Sequence, residues 1–347
     1  MDIFKLGFFV KYFISNFVVV NSFFSFFLFF LQECHLENLI NVNLRGCKFI
    51  MKLPKLWTPN LENLDLSFCE NLVKLPKLRA PNLRRLDLSK CENLVRLPKL
   101  WAPNLNYLYL SFCRNLVEID ECFGSLEKLK SSYLDDCRNL QILPSQLRLE
   151  SLDSFYLPRC LRLEKLPNFH PEMECLKTLY LCGSGIREVP SSIEHLTKLE
   201  ELIFFGCKNL RDLPDSIYKL QQLRELEIPT GKLRPTCNSF DSSSRYGFVK
   251  LEELRFIGFE GIIELDLLMK PNYFPVLKRI ELYRNNTVTI PESISRFPRL
   301  KSLNIRNCKL HEIQGLPQSI RRVEAKNCML LDTQSPSGLL NQVSLFL

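Results

Sequence analysis

The sequence predicts an α/β repeat solenoid, and three observations carry that expectation. First, LENLDLSFCENLVKLPKL (from Leu61), LRRLDLSKCENLVRLPKL (from Leu83) and LNYLYLSFCRNLVEID (from Leu105) are one unit repeated. Second, the unit L-x-x-L-x-L-x-x-C-x-x-L-x-x-L-P recurs with its ninth position at Cys47, Cys69, Cys91, Cys113, Cys137, Cys160, Ser184 and Cys207, at intervals of 22, 22, 22, 24, 23, 24 and 23 residues. That period lies in the ~20–29-residue range of leucine-rich repeats. Third, the 347 residues are 46% hydrophobic and 24% charged with 12 Gly and 20 Pro, which excludes a collagenous or disordered chain. The expected architecture is a leucine-rich repeat horseshoe with a concave parallel β-sheet and a mostly irregular or 3-10 convex side.

Each element follows from the unit. In L-x-x-L-x-L the last two Leu alternate with an outward residue, the period of a short half-buried strand. One such strand cannot bury its Leu face alone, so successive strands stack in parallel. The ninth-position Cys turns the chain inward, where a small side chain with polar capacity meets backbone groups. Pro76, Pro98, Pro144, Pro167, Pro190, Pro214 and Pro291 interrupt any helix on the return. Only longer repeats such as SSIEHLTKLEEL and DSIYKLQQLREL have room for a short one. The array resumes at Asn285, Cys308 and Cys328 after an aperiodic insertion at about 229–250, so the solenoid is expected over 33–331, with 332–347 as the start of a post-repeat tail. Residues 1–32 are not repeat-like. They hold eleven of the 26 Phe and no charged residue between Tyr12 and Gln32, the length of a membrane helix or signal anchor. A translated non-coding stretch is the alternative reading.

No Gly-rich phosphate loop, nucleophile elbow, H-E-x-x-H or C-x-x-C occurs, and four His leave little for a histidine-built centre. The expectation is a non-enzyme with no cofactor and no metal. Asp135-Asp136 could be cast as paired carboxylates, but turn positions are ordinarily solvated. Nine of the fourteen Cys share the ninth position on parallel rungs, where side chains ~4.8 Å apart pointing the same way do not bridge. Buried free thiols suit a reducing compartment, so a cytoplasmic location is expected, with membrane anchoring through the first segment as the alternative.

The formal charge of +8 is concentrated: Arg45 to Lys99 holds twelve Lys or Arg against five Asp or Glu. Lys74, Lys77, Arg84, Arg85 and Lys90 are therefore expected to form a basic docking patch for an acidic partner. Nucleic acid is not expected, because no basic and aromatic interleaving accompanies the charge. The residue between the final two Leu points onto the concave sheet. Through the array it reads Asn43, Asp65, Asp87, Tyr109, Tyr133, Tyr156, Tyr180, Ile203, Glu227, Arg255, Glu281, Asn304 and Glu324. Tyr109, Tyr133, Tyr156, Tyr180 and Ile203, widened by Phe112 and Phe205, form the expected partner-binding stripe.

LDLSFCENLVKLP, SGIREVPSSIEHLTKLEEL and CKNLRDLPDSIYKLQQL resemble the leucine-rich repeat region of plant intracellular immune receptors with an N-terminal Toll/interleukin-1 receptor domain and a central nucleotide-binding domain. The resemblance covers about residues 33–342. It implies a recognition and autoinhibition module whose partners would be a pathogen effector, a guarded host protein or the receptor's nucleotide-binding domain. Neither that domain nor the NAD-cleaving domain is recognisable in this sequence. A membrane-anchored leucine-rich repeat adaptor or decoy is the alternative.

Overall fold

The computed structural model describes residues 18–19, 39–53, 59–211, 213–229, 247–257, 274–284, 288–313 and 315–330. The Phe-rich segment apart from Val18–Val19, residues 230–246 of the insertion and the tail after 330 lie outside the described residues. The chain divides into one unit ending at Leu176 and a second beginning at Lys177.

In the first unit, parallel strands β1 (Val18–Val19), β2 (Asn41–Asn43), β3 (Asn63–Asp65), β4 (Arg85–Asp87), β5 (Tyr107–Tyr109), β6 (Ser131–Tyr133) and β7 (Ser154–Tyr156) lie side by side in chain order. The second unit repeats the arrangement with β8 (Thr178–Tyr180), β9 (Glu201–Ile203), β10 (Glu225–Pro229), β11 (Glu253–Ile257), β12 (Arg279–Tyr283), β13 (Ser302–Arg306) and β14 (Arg322–Lys326). Each unit is thus a leucine-rich repeat solenoid with one strand per repeat. The repeat Leu are its core: Leu61, Leu64, Leu66, Leu83, Leu86, Leu88, Leu105, Leu108 and Leu110 are fully buried, each worth about 2 kcal/mol against exposure. In the second unit Tyr218, Phe248, Phe274 and Phe297 line up inside with ring centroids 5.3, 5.6 and 6.2 Å apart.

The turn after each strand shows why Cys sits at the ninth position. The Sγ of Cys69, Cys91, Cys113, Cys137 and Cys160 donates to the carbonyls of Leu44, Leu66, Leu88, Leu110 and Leu134, at 3.1–3.3 Å. Each acceptor belongs to the strand end of the preceding repeat. In the second unit Cys207 reaches Leu181 at 3.0 Å, and Ser184, which takes the place of Cys in the preceding rung, sits 3.3 Å from Cys207 Sγ. These cysteines are free and buried, and burial pushes Cys69 up to about 12 and Cys91 and Cys137 further.

One feature of the turn has no counterpart in the consensus. The residue before the ninth position is left-handed in every described rung: Phe68, Lys90, Phe112, Asp136, Arg159, Arg284, Asn307 and Asn327 have φ of 53–64°, and Gly46, Gly183 and Gly206 are at 64–72°. That twist lets the Cys69, Cys91 and Cys113 amides bond back to Leu66, Leu88 and Leu110 at 3.1–3.2 Å.

The return side is partly as expected. Glu121–Ser125, Ser191–His195, Asp215–Lys219 and Glu292–Arg296 are single 3-10 turns, the last three each entered through an extended Pro. No α-helix occurs among the described residues, so the longer repeats hold 3-10 turns where a short helix had room. Two-residue strands, not anticipated, also form there: Leu78–Arg79 with Leu100–Trp101, Arg96–Leu97 with Glu118–Ile119, and Gln146–Leu147 with Asn168–Phe169.

Candidate protein-binding surface

The open face of each sheet carries the outward residues in the register the repeat implies. In the first unit Asn43, Asp65, Asp87, Tyr109, Tyr133 and Tyr156 are successive partners. The early rungs use this position locally: Asn43, Asp65 and Asp87 accept the amides of Arg45, Ser67 and Ser89 at 2.9–3.0 Å, closing the strand ends. The next three rungs place phenols there instead. Tyr109 and Tyr133 lie 5.2 Å apart at 0°, and Tyr133 and Tyr156 5.0 Å apart at 4°, a continuous stack of half-buried rings. Arg85 closes one end, with its guanidinium 4.6 Å from the Tyr109 centroid and 3.3 Å from Asp87. Tyr107, 38% exposed, stands beside the stack. Burial raises the Tyr109 phenol, which therefore stays protonated at physiological pH.

Phe112 does not widen this stripe. It occupies the left-handed turn beyond Leu110, not the strand, and joins a second row along the rim in which cations and rings alternate. Arg45 lies 4.5 Å from Phe68, and Lys90 lies 4.4 Å from Phe68 and 5.7 Å from Phe112. The next rim position, Asp136, is only 1% exposed, against the solvated turn expected for it. Burial pushes its carboxyl up, but Arg138 at 3.0 Å, Arg159 at 3.2 Å and Arg114 at 3.3 Å more than offset this and hold it below its ordinary value. Asp135 instead accepts the Ser111 hydroxyl at 2.7 Å. The two carboxylates are partnered separately and form no acid–base pair.

In the second unit Tyr180, Ile203, Glu227, Arg255, Glu281, Asn304 and Glu324 are successive partners. Ile203 departs from its expected role: it is 5% exposed, recessed between the longer Tyr180 and Glu227, and offers little contact area. Phe205 projects instead, at 41%. Tyr180 and Phe205 line a groove of about 330 Å³ with Ile257, Tyr283, Glu227 and Arg255. Arg255 is held there by four carboxylates: Glu225, Glu253, Glu281 at 3.3 Å and Glu227 at 3.4 Å. Burial raises Glu225 and Glu227, and the shared arginine restrains that rise. A hydrogen bond with Cys182 and burial push Tyr180 up to about 12. This clamp escaped the sequence reading, although the alternation in LRELEI and LEELRF carries it.

The five basic residues expected to dock a partner do not share one face. Arg85 begins β4, and Arg84, just before the strand, reaches Glu62 at 3.8 Å. Lys90 is in the rim row. Lys74 and Lys77 are exposed on the return side of the repeat, where Lys74 bridges to Lys52 through the backbone.

Parallel one-strand repeats, a thiol ladder and an aromatic outward face define a leucine-rich repeat protein of the interaction-scaffold class. Residues 147–340 match the family described as disease resistance protein RPS4B-like, leucine-rich repeats, and the chain belongs to that family. Among curated proteins it is 32% identical over 260 residues to TMV resistance protein N of Nicotiana glutinosa, covering 62% of this chain and 23% of that protein. It is 36% identical over 106 residues to disease resistance protein RML1A of Arabidopsis thaliana, covering 30% of this chain and 10% of that protein. The chain therefore spans less than a quarter of the length of either relative. A leucine-rich repeat protein of Leptospira interrogans aligns with 95% of this chain and 100% of its own at 18% identity and a TM-score of 0.42.

Proposed function

We propose that the chain recognises another protein in plant defence, a pathogen effector or a guarded host protein, through the open face of its sheets. The observation that carries this is the parallel stack of Tyr109, Tyr133 and Tyr156. Rigid, amphipathic, partly exposed rings are the side chains that dominate protein interfaces. Packing on one another is what an aromatic ladder would also do for the sheet alone, so stability and binding must be read separately. A photo-crosslinker at Tyr107, beside the stack, in leaf extract from challenged tissue, should capture an effector or host protein more efficiently than the same group at Glu150. Tyr133→Ala with Tyr156→Ala should then abolish that capture while the thermal midpoint falls by only a few degrees. Capture that persists undiminished in the double variant would sink the reading. Docking on a receptor's own nucleotide-binding domain, and autoinhibition through it, belongs with the sheet-side cations Arg84, Arg85 and Lys90. The motivating feature is their place in the basic first repeats.

A further inference from the structure

The return side of the first unit holds a row of charge that the repeat does not require. Lys52 and Lys74 are direct partners in a parallel bridge, and Arg96 occupies the same position one repeat later. Like charges on adjacent rungs ~5 Å apart repel, and sheets ordinarily alternate them. Here only Arg96 has an opposite charge, Glu118 at 3.2 Å. Among the described residues Lys52, Lys74, Lys77 and Arg79 have no carboxylate within salt-bridge distance. Lys77 and Lys99 repeat the pattern three residues further along, and Arg79 pairs in register with Trp101. All six cations are exposed.

An apolar column runs beside them. Val73 donates its amide to Met51 at 2.9 Å and Val117 to Val95 at 2.8 Å, stacking Met51, Val73, Val95 and Val117 rung on rung. Met51 is 61% exposed, Trp101 51% and Val95 40%. Large apolar side chains standing outward among uncompensated cations are costly in water, and nothing among the described residues of the unit covers them.

We propose that this return face of the first unit docks on an anionic lipid bilayer. Lysine and arginine heads meet acidic headgroups, while Trp101, Met51 and Val95 enter the headgroup–acyl boundary. Charge complementarity selects an anionic surface. Of anionic surfaces, the bilayer accepts protruding side chains one at a time, without the matching cavities that a folded protein would have to supply. The residues involved are distinct from the tyrosine stack, so both faces can be engaged together.

Sedimentation of the full chain with phosphatidylcholine vesicles containing ~30 mol % phosphatidylserine tests this, with pure phosphatidylcholine as the comparison. Partitioning should be strong only on the acidic vesicles and weaken with added salt. Lys52→Glu, Lys74→Glu and Lys77→Glu together should lower it at least about a hundredfold, as about fivefold per charge implies. The three side chains are exposed and unpaired, so folding should be retained, which a thermal melt verifies. Trp101→Ser should lower binding further, and Lys208→Glu in the second unit should leave it unchanged. Equal binding to both vesicle types, or equal binding by the triple variant, would assign any membrane affinity to the Phe-rich N-terminal segment and overturn the proposal. Capture by immobilised polyglutamate without vesicle binding, lost in the triple variant, would overturn it in favour of an acidic polypeptide.

Discussion

Ser132 occupies the strand position that holds Leu64, Leu86 and Leu108 in earlier rungs. Its hydroxyl is fully buried, with no hydrogen-bond partner in the structure. Phe155, its register partner on the next rung, fills the space the missing leucine leaves and approaches Phe123 at 6.4 Å. Ser132→Ala should therefore stabilise the protein by about 1 kcal/mol, since it removes only an unsatisfied polar group. Phe155→Ala should cost about 3–5 kcal/mol. Chemical denaturation reads both, and a destabilised Ser132→Ala would mean that the hydroxyl has an acceptor. The left-handed turn offers a cleaner measure of backbone strain. A Cβ on Gly206 would meet nothing closer than 3.6 Å, so Gly206→Ala should cost only the conformational penalty, about 1–2 kcal/mol. At Gly124 the same atom would lie 2.3 Å from the Gln146 carbonyl, and the backbone itself would have to move.

At the scale of the repeat, the strand and the thiol were legible because period and burial impose them on the sequence. Leu at three fixed positions leaves one outward residue, and its register through both units follows from counting. The left-handed position was not legible. Glycine marks it only at Gly46, Gly183 and Gly206 and asparagine at Asn307 and Asn327, while Phe68, Lys90, Phe112 and Arg159 accept the strain for the sake of the turn. The depth of Ile203 was equally hidden, because it depends on the lengths of neighbours one rung away and not on its own alternation. The ladder does make a chemical prediction. Under native conditions Cys69, Cys91, Cys113 and Cys137 should resist iodoacetamide, while the partly exposed Cys175 reacts first. Mass spectrometry of the alkylated protein tests this, and rapid labelling of the four would contradict the buried hydrogen bonds to leucine carbonyls.

Across the molecule, the two units carry acid-sensitive groups of opposite sign. The Asp136 carboxyl is depressed in the fold, so its contribution is present above the usual carboxylate range and is lost as pH falls through its lowered value. Glu225 and Glu227 are raised, so they weaken the fold at neutral pH, and stability returns as pH falls through their folded values towards 4.5. Calorimetry should accordingly show that Asp136→Asn flattens the loss of stability below about pH 4. Glu227→Gln should raise the midpoint at pH 7 and have no effect near pH 4. A Glu227→Gln protein that melts earlier at pH 7 would show that the fourth carboxylate is needed to hold Arg255.

The thiols of Cys69, Cys91, Cys113, Cys137, Cys160 and Cys207 each bond to a leucine carbonyl about one repeat before them in sequence, none to one after. The array therefore has a direction. As the chain is synthesised, every new turn arrives where its acceptor has already been laid down, and a repeat can close without waiting for the one that follows. Loss of the last repeat leaves all earlier thiols bonded, whereas loss of an early repeat strips the acceptor from its successor. Truncation should be tolerated far better from the C-terminal end of the ladder than from its beginning.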